Sequence, residues 1–118
     1  MTKSEKPHLS IRIDLPGGGR FGPGKAALLD AIGGLGSINK AATHLGMSYP
    51  RAKKLVEEMN KDFGVALVIS AQGGADGGGS RLTDAGENTR VMYQELCKQS
   101  LAHNKALLAK FCKPNSGE

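Results

Sequence analysis

The sequence predicts a mainly helical domain with a small β part, and three observations carry that expectation. Apolar residues recur at helical spacing through most of the interior. Ser, Thr, Pro and Gly fall where helix ends need them. Two short stretches show the alternating or β-branched pattern of strands. A length of 118 residues suits one domain with an appended helix. Aromatic residues make up only 4%, so the core has to be built from Ala, Leu, Ile, Val and Met.

Residues 1–8 read as a disordered polar leader, 9–83 as the folded domain, 84–112 as a long helix and 113–118 as a disordered tail. Leu9 to Leu15 places Leu9, Ile11, Ile13 and Leu15 on one face and Ser10, Arg12 and Asp14 on the other, the period of a half-buried strand. Pro16-Gly17-Gly18-Gly19 ends it, and Arg20 to Gly24 reads as a connector. A first helix is expected over about Gly24 to Ile32, stopped by Gly33, Gly34 and Gly36. Ser37 is suited to cap a second helix, with Ile38, Ala41, Ala42 and Leu45 on its apolar face and Gly46 after it. Ser48 can cap a third, whose buried stripe is Ala52, Leu55, Val56 and Met59; Pro50 falls in its first turn, where a missing N–H costs nothing.

Val65 to Ser70 reads as a strand and Ser80-Arg81-Leu82 as its returning partner. Gly73 to Gly79, with five glycines, is the expected mobile tip of that hairpin. Thr83 then caps a final helix with neither Gly nor Pro from Glu87 to Lys113, about 40 Å long at ~1.5 Å per residue. Strand, helix, helix, turn, helix, hairpin and long helix is the connectivity of a winged helix-turn-helix with a C-terminal dimerisation helix.

The segment Ser37 to Met59 carries the functional signal. A helix-turn-helix needs a small residue where its helices cross, and Ala42 supplies it. Four positions later the turn needs a residue tolerant of positive φ, and Gly46 supplies it. Counting ~100° per residue puts Lys53, Lys54, Glu57 and Lys61 away from the buried stripe, with Arg51 on its flank. That basic face is the one a recognition helix, about residues 48–60, presses into a DNA major groove. Glu57 and Glu58 dilute it, which favours contact through the N-terminal half. Lys40, Ser48, Lys53 and the wing residues Ser80 and Arg81 are expected to touch phosphates, Tyr49, Arg51 and Lys54 to read base edges, and Ser37 to belong to the same DNA-binding surface. The net charge of +5 fits an anionic partner. A basic-faced helical adaptor for an acidic protein is the alternative.

In the last helix, Cys97, Leu101, Asn104, Leu108 and Phe111 form a heptad-like seam with Lys98, Lys105 and Lys110 outside it. The three-helix body can cover only the turns near Ala85 to Tyr93, so a homodimer on palindromic duplex DNA is expected. Cys97 and Cys112 lie roughly 22 Å apart along such a helix, far beyond bridging distance.

Leu28-Leu29, Ile32, Gly36-Ser37-Ile38, Ala41-Ala42, Gly46-Met47-Ser48-Tyr49, Ala52, Glu58-Met59-Asn60, Gly73-Gly74, Gly77-Gly78-Gly79, Leu82-Thr83 and Gly86 together resemble the N-terminal DNA-binding domain of ModE-type, molybdate-responsive regulators. They are more loosely similar to the LysR-type winged helix. The resemblance spans roughly residues 9–112 and implies a homodimer joined through the long helix, with recognition helices in successive major grooves. This chain has Lys53 where the family commonly has Trp. The full-length regulators carry C-terminal oxyanion-binding modules, and with the chain ending at Glu118 no molybdate site is expected.

Other chemistry is not expected. Gly19 to Ala26 matches a phosphate loop except at its end, where Ala26 cannot hold Mg²⁺, and Pro23 removes one N–H from the cradle. His8, His44 and His103 have no ligand spacing with either Cys, so neither a metal nor another cofactor is expected. No nucleophile, base and acid can be assembled from them either, and an enzyme is not expected. The chain offers no apolar run of the roughly 18 residues that cross a bilayer, and its first residues lack a signal peptide's apolar stretch. A cytoplasmic protein without membrane contact is the expectation.

Overall fold

The computed structural model describes residues 6–71 and 79–112. The expectations for most of the leader, for the wing tip and for the tail lie outside the described residues.

The chain begins with a small antiparallel hairpin, β1 (Ile13–Asp14) and β2 (Arg20–Phe21), with Ile13 opposite Phe21. The strand expected over Leu9 to Leu15 is thus only two residues long. The stretch read as a connector supplies its partner, because Phe21 is drawn into the core. Its ring stands edge-on to Phe63 at 5.6 Å and to Tyr93 at 5.1 Å. Edge-on aromatic contacts at such distances suit the ring quadrupole. Three rings therefore tie the hairpin to two helices, in a chain where aromatics are scarce.

Helix α1 (Pro23–Leu35) runs one turn beyond the expected end. Gly33 and Gly34 do not stop it. Gly36, at φ 73°, does. Gly33 serves packing instead: a Cβ there would press on Leu82, so the glycine lets the C-terminal hairpin lie close against α1. Helix α2 (Ile38–Leu45) is capped by Ser37, whose Oγ accepts from the Lys40 amide at 3.0 Å. Helix α3 (Tyr49–Phe63) is capped by Ser48, whose Oγ accepts from the Arg51 amide at 3.2 Å. Between them Gly46 takes φ 73°, the left-handed conformation the turn requires. Ala52, Val56 and Met59 of α3 are buried against Leu28, Leu29 and Ile32 of α1 and Ala41 and Ala42 of α2, while Leu55 is half-buried.

The second hairpin pairs β3 (Val68–Ala71) with β4 (Gly79–Leu82), Val68 opposite Leu82. Its base is held from two sides. The Ser80 amide donates to the Gly36 carbonyl at 2.9 Å, and the Thr83 hydroxyl donates to the Ala66 carbonyl at 2.7 Å. The same Thr83 oxygen accepts from the Gly86 amide, capping α4 (Asp84–His103).

Gly86, Thr89 and Tyr93 of α4 are buried on the body. The Tyr93 hydroxyl donates to the Ile11 carbonyl, and burial, followed by its hydrogen bond with Cys97, pushes its pKa up to about 12. Arg90 bonds Glu87 and also Asp30 of α1 at 3.2 Å. The Arg90 guanidinium, through its hydrogen bonds to Glu87, holds the Glu87 carboxyl below its usual range.

The single long helix expected to Lys113 is interrupted. At Asn104 the backbone takes φ −102°, ψ 11°, and the side-chain amide donates to the Ser100 carbonyl at 2.8 Å. A short amide side chain bonding back to the carbonyl four residues earlier competes with the helical ladder. Helix α5 (Lys105–Ala109) then resumes and gives way to a 3₁₀ turn at Lys110–Cys112. Among the described residues no helix is long and apolar enough to cross a membrane.

Candidate nucleic-acid interface

The two caps and the left-handed glycine fix how α3 stands on α2, and the outward side of α3 is the candidate interface. Tyr49, Arg51, Lys53, Lys54, Glu57 and Lys61 are exposed along it. Among the described residues, Arg51, Lys54 and Lys61 have no acidic side chain within ion-pair distance. Lys53 lies 3.9 Å from Glu57, one helical turn on. The second acid, Glu58, is half-buried on the flank and meets Lys25 of α1 at 3.3 Å. The dilution of the basic face expected from these two carboxylates is therefore partly offset by pairing with α1.

Most of the other expected DNA-binding residues frame this helix. Lys40 is exposed in the first turn of α2, and Arg81 is exposed on β4 opposite Ile69. Ser37 and Ser48 each accept a backbone amide as caps, which leaves the hydroxyl proton of each free to donate. Ser80 is different. It is only 9% exposed, and its strand position turns it into the domain opposite Ser70. The alternation of a strand sends Ser80 and Arg81 to opposite faces, so only Arg81 can meet a solvent-side phosphate.

The residues expected in a dimer seam are only partly gathered. Cys97 is half-buried and packs on the core of its own chain. Asn104 is half-buried, with its amide bonded to Ser100. Leu108 is half-buried, whereas Leu101 and Phe111 are 44% and 71% exposed, as are Leu96 and Leu107 at 40% and 59%. The seam of a continuous helix is thus broken between Leu101 and Leu108.

Asn60 enters the sequence reading only as part of the resemblance, with no role assigned to it. Its side chain, at the last turn of α3, accepts from the Leu67 amide at 2.7 Å and donates to the Val68 carbonyl at 3.1 Å. This joins α3 to the base of the second hairpin. A polar amide on the flank of an otherwise apolar stripe, shortly before a strand, was the available signal.

The family model for bacterial regulatory helix-turn-helix proteins of the lysR family matches residues 25–87, from the start of α1 into α4. The chain is 45% identical over 76 residues to the molybdenum-pterin-binding protein MopB of Rhodobacter capsulatus, a match covering 64% of this chain and 28% of that protein. It is 37% identical over 86 residues to the molybdenum transport protein ModE of Azotobacter vinelandii, covering 73% and 32%. With the DNA-binding transcriptional dual regulator ModE of Escherichia coli K12 it shares 37% over 76 residues, covering 64% and 29%. The chain thus spans less than a third of the length of these relatives. Its fold is similar to that in the crystal structure of the CbnR DNA-binding domain in complex with DNA, at a TM-score of 0.55 and 23% identity over 70% of this chain and 93% of that one. With the matched segment covering more than half of its length, the chain belongs to the lysR family of bacterial regulatory helix-turn-helix proteins.

Proposed function

We propose that this chain is a DNA-binding transcriptional regulator rather than an enzyme, acting as a homodimer in the cytoplasm. The observation that carries the reading is the exposed side of α3, where among the described residues Arg51, Lys54 and Lys61 have no acidic partner, on a helix joined to α2 through the left-handed Gly46. Tyr49, Arg51 and Lys54 in its N-terminal half would reach base edges. Lys40, Lys53 and Arg81 would meet phosphates and set the register. Pairing through the last helices would give two recognition helices and a palindromic site. The relatives named as regulators support this reading, as does the DNA complex of the similar fold.

Selection of bound sequences from random duplex DNA tests it. Recovery of an inverted repeat, with affinity falling steeply as salt rises, is the expected result. Recovery of no consensus, together with salt-insensitive or absent duplex binding, would overturn it and leave the basic face to an acidic protein.

A further inference from the structure

Helix α3 carries a β hairpin on each flank. On one flank, Asn60 is bonded to Leu67 and Val68 at the base of the wing. On the other, Arg51, Leu55, Glu58 and Asp62 line a groove of about 730 Å³ whose far wall is the Gly17–Arg20 turn of the first hairpin. At 3.6 residues per turn those four side chains project opposite to Asn60, and Lys54, Glu57 and Lys61 form the ridge between the two flanks.

The first hairpin is fixed to α3 rather than hanging beside it. Lys25 Nζ lies 3.0 Å from the Arg20 carbonyl, 3.3 Å from Glu58 and 3.7 Å from Asp62. A Cβ at Gly19 would overlap the Asp62 side chain as it stands, so a larger residue there would have to push that carboxylate aside. Lys25 thereby bridges the groove's two acids and offsets one of their two negative charges, which the three remaining cations outnumber. Arg12 is held by Asp14 at 3.0 Å. Arg20, Arg51 and Lys61 remain, and among the described residues no acid pairs with them. The hairpin precedes the matched family segment, which begins at residue 25.

We propose that this hairpin is a second phosphate-contacting arm. It takes the DNA backbone strand that borders the major groove on the side away from the wing, with Arg20 and Lys61 bonded to its phosphates. The proposal rests on the reading of α3 as the recognition helix. A strand of phosphodiesters fits the groove because the unpaired groups are all cationic and the turn of small residues lets a backbone come close. The hairpin lies beside α3 instead of at its tip, where bases would be met. Such contacts add affinity without sequence preference.

Salt titrations of duplex binding test the arm, using the intact chain, Arg20→Gln, Arg20→Gln/Lys61→Gln, and a charge-matched Lys98→Gln/Lys105→Gln control on the last helices. Arg20→Gln should lose affinity several-fold on selected and random duplexes alike. Its slope of log Kobs against log salt should fall by about 0.9 for each phosphate released. Ethylation interference at the outer phosphates of each half-site should vanish in the double variant and persist in the control. Unchanged thermal midpoints confirm that the exposed substitutions leave the fold intact. Variants that keep the parent's slope and interference pattern, while the parent binds duplex, would overturn the arm alone. A parent that binds no duplex would overturn the reading of α3, and the arm with it.

Discussion

The Asn60 side chain of α3 accepts the Leu67 amide at 2.7 Å, a bond that ties the base of the second hairpin to α3 alongside the contacts of Ser80 and Thr83. The Val68 amide reaches the same oxygen at 3.3 Å, and the Asn60 amide group returns a bond to the Val68 carbonyl at 3.1 Å. One side chain thus satisfies three backbone groups at the point where helix becomes strand. Leu67 itself is fully buried, so those groups have little access to water.

Replacing Asn60 with Ala should destabilise the domain by about 1–3 kcal/mol, because partly buried amides and a carbonyl lose their partner. Asn60→Asp keeps an acceptor for the Leu67 amide but cannot donate to Val68, and should fall between parent and Ala. Urea midpoints measure the order, and hydrogen exchange at the Leu67 amide reports the bond directly. An Ala variant with the parent's midpoint and the parent's exchange rate would show that the wing is held elsewhere.

The helix-turn-helix was legible because each of its local signals agrees with the packing. Ser37, Gly46 and Ser48 act at the positions the sequence assigns them, and Ala42, Ala52 and Val56 are buried as their spacing requires. Phe21 was not legible. It stands among glycines and has no periodic neighbours, and only the rings of Phe63 and Tyr93, far away in sequence, make it core. Gly33 was misread for a related reason: the local rule that glycine ends helices loses to a tertiary contact with Leu82. Asn104 was read for its effect between chains, whereas its own chain's Ser100 carbonyl captures the amide. In the candidate site, exposure of the basic residues followed from helical periodicity. The pairing of Glu58 and Asp62 with Lys25 did not, since it joins helices whose relative placement no local pattern encodes.

Arg51→Ala/Lys54→Ala should separate recognition from folding. Both side chains are exposed and unpaired among the described residues, so stability should change by less than about 0.5 kcal/mol. Each lost base contact should cost about 1–3 kcal/mol on a selected duplex. The double variant is expected to bind selected and random DNA with similar affinity. Retention of the parent's preference would move sequence reading off this helix.

Tyr93 makes stability depend on pH at the alkaline end. Burial first, and the hydrogen bond with Cys97 second, favour the neutral phenol in the folded chain and raise its pKa to about 12, against about 10 for an unperturbed tyrosine. An unfolded chain loses this proton first. The contribution is therefore complete below pH ~10 and is lost as pH rises toward 12. Tyr93→Phe removes the bond to the Ile11 carbonyl and should cost about 1 kcal/mol near neutral pH. It should also flatten the decline of the thermal midpoint above pH ~10. The difference in tyrosinate absorbance between parent and variant should titrate near pH 12; a midpoint near 10 would mean that the hydroxyl is open to water.

The last helices should make the chain a dimer at micromolar concentration, in spite of the break at Asn104. Among the described residues Tyr93 is the last buried residue of α4, and Cys97 the last hydrophobic side chain that packs on the core. Beyond it Leu101, Leu107 and Phe111 present apolar surface, and the 63 Å long axis of the molecule reflects how far this arm extends. A run of exposed leucines on an extended helix is covered most simply by the same run from a second copy. The change of phase at Asn104 divides the contact into two patches, one on α4 and one on α5. Leu101→Glu and Leu107→Glu each place a charge in one of them. Either single variant should weaken the dimer by tenfold or more, and the double variant should run as a monomer in light scattering with its thermal midpoint little changed. DNA binding should then lose its preference for paired half-sites about 34 Å apart, the spacing set by the duplex, while each protomer keeps its phosphate contacts. A parent that is monomeric at these concentrations would remove the dimer and the palindromic site together. A dimer insensitive to both glutamates would place the contact on Val91, Met92 and Leu96, the other exposed apolar side of α4.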